Sequence, residues 1–137
     1  GIQTGNAGRA VTTDYNDLDE TAYSVLVTYG NFAADYRKNE AGNSGRQKND
    51  GSGNDEGTSI CGTYTMGNLG FGVCSLDSTF TTATNTTNEN KMLTYNAQYE
   101  LGGGMNLAVT YFDHEQTENN ATDTDVEGIM TRLAIGF

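Results

Sequence analysis

An all-β, antiparallel fold is what this sequence predicts. Three observations predict it: period-two alternation in paired segments, short Gly-rich turns inside each pair, and a terminal strand that ends on an aromatic. In the first pair Tyr23, Val25, Val27 and Tyr29 share one face, and Ala22, Ser24, Leu26 and Thr28 share the other. After Gly30-Asn31, the residues Phe32, Ala34 and Tyr36 continue the apolar face, while Ala33, Asp35, Arg37 and Asn39 continue the polar one. A two-residue turn of this kind makes a tight hairpin. It sets Tyr29 opposite Phe32, Val27 opposite Ala34 and Val25 opposite Tyr36, so the apolar faces coincide.

The pattern recurs twice. Ile60, Gly62, Tyr64 and Met66 lead through Gly67-Asn68 into Leu69, Phe71 and Val73. Leu93, Tyr95, Ala97, Tyr99 and Leu101 lead through Gly102-Gly103-Gly104 into Met105, Leu107, Val109 and Tyr111. The opposite face of this third hairpin carries Thr94, Asn96, Gln98, Glu100, Asn106, Ala108, Thr110 and Phe112. Between the hairpins lie stretches rich in Gly, Asn, Ser and Thr, at 41–57, 78–89 and 115–125, which are expected to be long loops. The last strand covers Ile129–Phe137, with Ile129, Leu133, Ile135 and Phe137 on one face and Met130, Arg132, Ala134 and Gly136 on the other. Residues 1–20 offer one further strand candidate, Arg9–Thr13, followed by an acidic loop, Asp14–Glu20. The carboxylate spacing there resembles a calcium loop but lacks its Gly at the sixth position and its Glu at the twelfth, so a solvated loop is expected.

The terminal strand decides which face is inside. Its apolar face carries aliphatics and Phe137, and the other carries a cation and small residues, which suits apolar outward to lipid and polar inward to water. The chain is only 35% apolar, has 18 Gly and no Pro, and contains no apolar run near the roughly 20 residues of a spanning helix. A barrel strand shows lipid only alternate residues, so low average hydropathy is what a transmembrane β-barrel requires. Seven Lys and Arg against 18 Asp and Glu give −11, which argues against nucleic acid as a partner and favours cations nearby. The length suits a single domain spanning 1–137. Gly1 is not an initiator, so a leader has been removed or the chain begins internally.

The candidate functional residues follow from the polar face: Asp35, Arg37, Glu100 and Arg132 should line a pore. Cys61 and Cys74 each lie six residues from the Gly67-Asn68 turn. That makes them a directly opposed, non-hydrogen-bonded pair with Cα atoms about 4.5 Å apart, close enough for a disulfide; two thiols packed side by side are the alternative. His114 stands beside Asp113 near a loop with no nucleophile motif around it, and Ser24, Ser59, Ser75 and Ser78 lack a nucleophile-elbow context. Cys61, Cys74 and His114 lack zinc-type spacing. Neither catalysis nor a cofactor is expected.

The three hairpins and the ending Gly-Ile-Met-Thr-Arg-Leu-Ala-Ile-Gly-Phe at 128–137 resemble the C-terminal half of a Gram-negative general diffusion porin of the alphaproteobacterial type, over roughly residues 20–137. The resemblance implies a homotrimer of 16-stranded outer-membrane barrels that pass ions and small hydrophilic solutes passively. It also implies that Leu133, Ile135 and Phe137 form the signal by which the barrel-assembly machinery recognises its clients, and that Arg37 and Arg132 belong to a basic strip on the pore wall. The two cysteines depart from that family's habit. Closure as a complete eight-stranded barrel is an alternative, but Ala22, Ser24, Ala33, Gly70, Gly72, Ala108, Ala134 and Gly136 are too small to fill one. A soluble β-sandwich or adhesin-like binding module shares the alternation. In it the polar face would be the solvated outside, and Phe137 would have no special role.

Overall fold

In a computed structural model, described for residues 2–5, 15–16, 20–42, 44, 47–48, 53–82, 86–118 and 122–136, the chain forms one antiparallel sheet whose strands follow sequence order. Seven strands are long: β2 (Glu20–Tyr29), β3 (Phe32–Gly42), β4 (Gly53–Met66), β5 (Leu69–Thr81), β6 (Thr87–Gly102), β7 (Met105–Glu118) and β8 (Thr122–Ile135). A four-residue β1 (Ile2–Gly5) lies along β2. No helix occurs among the described residues. The sheet is open, with β1 and β8 as its edges.

The hairpins pair in the register that the alternation predicts: Tyr29 opposite Phe32, Met66 opposite Leu69, and Cys61 opposite Cys74. Gly30 and Gly67 open the first two turns with φ of 57° and 59°, a backbone conformation that glycine adopts without steric cost. In the third hairpin the ladder skips between Glu100 and Gly102, so Leu101 is an extra residue and the turn is Gly103-Gly104. Each turn is also tied to the strand that follows its hairpin. The carbonyls of Asn31, Asn68 and Gly104 accept hydrogen bonds from the amides of Thr65, Glu100 and Gly136, at 3.0, 2.9 and 2.8 Å.

The turns are staggered. Tyr64 lies level with Phe32, and β4 runs two residues further before turning; Tyr99 lies level with Leu69, and β6 again runs past it before its own turn. That shift of about one residue per strand, at 3.4 Å per residue and 4.8 Å between strands, corresponds to a strand tilt of about 35° if the turns share one level. Barrels close at about 35–45°.

Two expectations need correction. The long loops are shorter than the composition suggests, because β5 continues to Thr81, β6 begins at Thr87, β7 continues to Glu118 and β8 begins at Thr122. The stretch 115–125 is therefore mostly ladder, with only 119–121 between strands, and β8 starts seven residues before Ile129. The cause is that both faces are polar at this end of the sheet. Alternation disappears there while Thr, Ser and Asn still extend the ladder. A strand does lie near the start, at Ile2–Gly5; the candidate Arg9–Thr13 and the terminal Phe137 fall outside the described residues.

Candidate functional site

The register sorts every side chain of β2 to β8 onto one of two faces. Tyr29, Phe32, Tyr64, Phe71, Ala97 and Val109 lie in one row across the sheet, and Val27, Ala34, Gly62, Val73, Tyr95, Tyr111 and Ile129 lie in the next. Met66, Leu69, Tyr99, Leu107 and Leu133 extend this face toward the turns. Along single strands the apolar run covers 23–29 on β2, 93–101 on β6 and 129–135 on β8, about 20–27 Å of strand, or about 17–22 Å of height at a 35° tilt. Beyond it the same face turns charged, with Lys38, Asp77, Lys91, Glu115 and Asp125 in one row. There Lys38 meets Glu40, and also Glu56 at 3.8 Å, while Lys91 meets Glu89 at 3.4 Å.

This apolar face is bare. Val25, Val27, Tyr29, Phe32, Ile60, Ile129 and Leu133 are all more than half exposed, and Ala108 is the one buried apolar residue among those described. Its internal contacts are aromatic neighbours: Phe32 and Tyr64 have ring centroids 4.5 Å apart, and Tyr95 and Tyr111 6.2 Å. A compact monomer of this mass would expose about 6,900 Å²; this chain exposes 9539 Å². On β6 and β7 the opposite, polar face is the more shielded one: Thr94, Asn96, Gln98, Asn106, Ala108 and Thr110 are half-buried or buried, while Tyr95, Ala97, Tyr99, Leu107 and Val109 are exposed.

Asp35, Arg37, Cys61, Cys74, Glu100 and Arg132 all belong to that polar face. Arg37 Nε donates to Asp35 Oδ1 at 2.7 Å, with the Asp35 side chain only 18% exposed and Arg37 69%. Cys61 and Cys74 form a disulfide with Cα atoms 4.1 Å apart, a little closer than the sequence geometry requires, and Asp35 is the partner of Cys61 on β3. Arg37 and Arg132 are not neighbours in the sheet, although the stagger of the turns, about one residue per strand, sets them at a similar height above the turns if these share one level. β3 and β8 have four strands between them, and Arg37 lies level with Val126, six residues up β8 from Arg132. Arg132 faces Ala108 and makes no ion pair among the described residues. Leu133 and Ile135 lie on the apolar face as expected.

His114 sits inside β7 rather than near a loop, between Met92 on β6 and Val126 on β8, and its row includes a hydroxyl only at Ser24 and Ser59, each on a non-adjoining strand. The sequence reasoning missed what surrounds it: Leu76, Met92 and Val126 are apolar residues on the polar face. Carrying the parity of each strand past its apolar run would have found them. Comparison with protein-family models, curated proteins and solved structures gave no match.

Proposed function

We propose that this chain is part of the wall of a water-filled pore in the outer membrane of a Gram-negative bacterium, passing ions and small hydrophilic solutes by passive diffusion. The observation that carries this reading is the inversion of the sheet: its apolar face is bare throughout, and on β6 and β7 it is more exposed than the polar face behind it. An exposed face of this width needs an apolar partner, and a lipid bilayer supplies one at the height that the apolar run spans. The stagger of the turns is the stagger that a closing barrel needs. The small residues of the polar face argue for a barrel wider than eight strands, such as the 16-stranded trimeric porins that the sequence resembles. On this reading β8 pairs with a further strand, and the ending Leu133, Ile135 and Phe137 is what the barrel-assembly machinery recognises.

A sandwich would need a second sheet over the apolar face, and the described residues form one layer. Extraction and planar-bilayer recording separate the readings. A pore wall is extracted only by detergent, migrates differently on a gel before and after heating, and conducts ions when reconstituted. A protein that is soluble without detergent and silent in bilayers is a binding module instead.

A further inference from the structure

The polar face is not polar throughout. On β5 to β8, Leu76, Met92 and Val126 stand level with His114 and are 37%, 36% and 46% exposed. One row nearer the turns, Phe112 lies against Gly128, where an added Cβ would meet the ring at 2.8 Å. Met130 follows on β8, 57% exposed. These side chains form an apolar island facing what would be the lumen.

The surroundings limit what could rest there. Ser78, Asn90, Gln116 and Thr124 border the island on one side, and Asn96 and Thr110 on the other, all uncharged. The next residue on this face of β8 is Arg132, exposed and without an ion pair among the described residues. No carboxylate stands on this face of β5 to β8 between the row of Thr124 and that of Arg132. In a chain of net charge −11, this is a cationic, partly apolar spot.

We infer that this island and Arg132 form a recognition site for small organic anions that carry an aromatic or branched alkyl group. The carboxylate pairs with the Arg132 guanidinium, which offers donors in a fork matched to it. The apolar body lies on Met130 and Phe112. Met130 and Gly128 are roughly 7 and 14 Å from Arg132 along β8, within the joint reach of an extended Arg132 side chain and a carboxylate joined to one ring, whereas the row of Val126 and Met92 lies about 20 Å away. The site makes the pore more than a passive sieve. It rests on the pore reading in that this face is taken to be wetted.

The four methionines supply the test, because Met66 and Met105 lie on the apolar face and Met92 and Met130 on the polar one. Protein labelled with ¹³C-methyl methionine is folded in detergent micelles, its signals are assigned by single Met→Leu changes, and sodium phenylacetate, sodium acetate and benzylammonium chloride are titrated in turn. Phenylacetate should shift Met130, the methionine next to Arg132 on this face, and leave Met66 and Met105 on the other face in place. It should bind about tenfold more tightly than acetate, the effect of taking some 60 Å² of apolar surface out of water. R132Q should weaken it by a similar factor, with the Met66 and Met105 signals reporting that the variant is folded. An unmoved Met130 signal, four signals moving together, or equal binding of benzylammonium would each overturn the inference. Conductance of the same preparation judges the pore separately. Conduction without a methionine response refutes the anion site alone, and a response without conduction refutes the pore alone.

Discussion

Asp35 and Arg37 neutralise one another at 2.7 Å, whereas Arg132 stands unpaired among the described residues, and the two arginines should therefore behave differently in a pore. R132A removes an uncompensated charge and should move the reversal potential in a salt gradient toward stronger cation preference. R37A exposes Asp35 beside the disulfide and should move it the same way through a different carboxylate. Because Arg37 is mostly exposed, the pair itself should contribute well under about 1 kcal/mol to stability, and neither change should impair assembly. An anion shift in either variant would contradict this placement. The disulfide joins residues that the hairpin already holds opposite each other, so its effect is expected at the low end of the usual ~0–5 kcal/mol. Denatured, unreduced protein should show no reactive thiol, and C61S/C74S should lower the urea midpoint only slightly. Both the bridge and its partners were legible from turn spacing. The ladder rows of Arg37 and Arg132 were not, because they depend on the register between successive hairpins, which turn spacing does not give.

At the scale of the element, the strands were legible where one face is apolar and illegible where both are wet. β5 shows the boundary: Phe71 and Val73 alternate with Gly70 and Gly72, but Asp77, Ser78 and Thr79 carry no alternation although all three are paired. The apolar island escaped for a related reason, since Leu76 and Met92 lie beyond the runs that revealed the parity. Cysteine labelling in a C61S/C74S background should map the boundary. V73C should be protected from a membrane-impermeant maleimide in proteoliposomes, and D77C, on the same face of the same strand, should react. The turns make a second prediction. Gly104 has φ of 79°, and a Cβ there would stand 2.6 Å from the Gly136 carbonyl oxygen, so G104A meets both backbone strain and a clash and should destabilise by about 2 kcal/mol or more. G67A meets only the strain, with nothing within 4 Å of the added carbon, and should cost about 1 kcal/mol. Urea midpoints of the two variants in the same detergent check the order.

For the whole molecule, the balance of −11 does not translate directly into selectivity. Asp35 and Glu100 on the polar face are offset by Arg37 and Arg132, leaving Glu20 and Glu118 at the end of that face far from the turns, while Glu40, Glu56, Asp77, Glu89, Glu115 and Asp125 occupy the charged rows of the other face, beyond the apolar run. Their influence on a permeating ion acts through solution and is screened. The reconstituted pore should prefer cations modestly, and the preference should shrink between 0.1 and 1 M salt as the screening length falls from about 10 Å to about 3 Å. A preference that is strong and insensitive to salt would place fixed carboxylates in the passage itself.

The hydrogen bonds that run from each turn to the strand that follows its hairpin give the sheet a direction of growth. Among the described residues every strand touches only its neighbours in sequence, so each step of folding closes a short loop and its entropic cost stays small. A hairpin that has formed presents the carbonyl of its turn, Asn31, Asn68 or Gly104, at the level where the next ladder must begin. A strand that slips by one residue would miss that carbonyl and also turn its apolar side chains to the wrong face. The rim of turns thus acts as a ratchet on register, and the wall can lengthen hairpin by hairpin without any distant contact to instruct it.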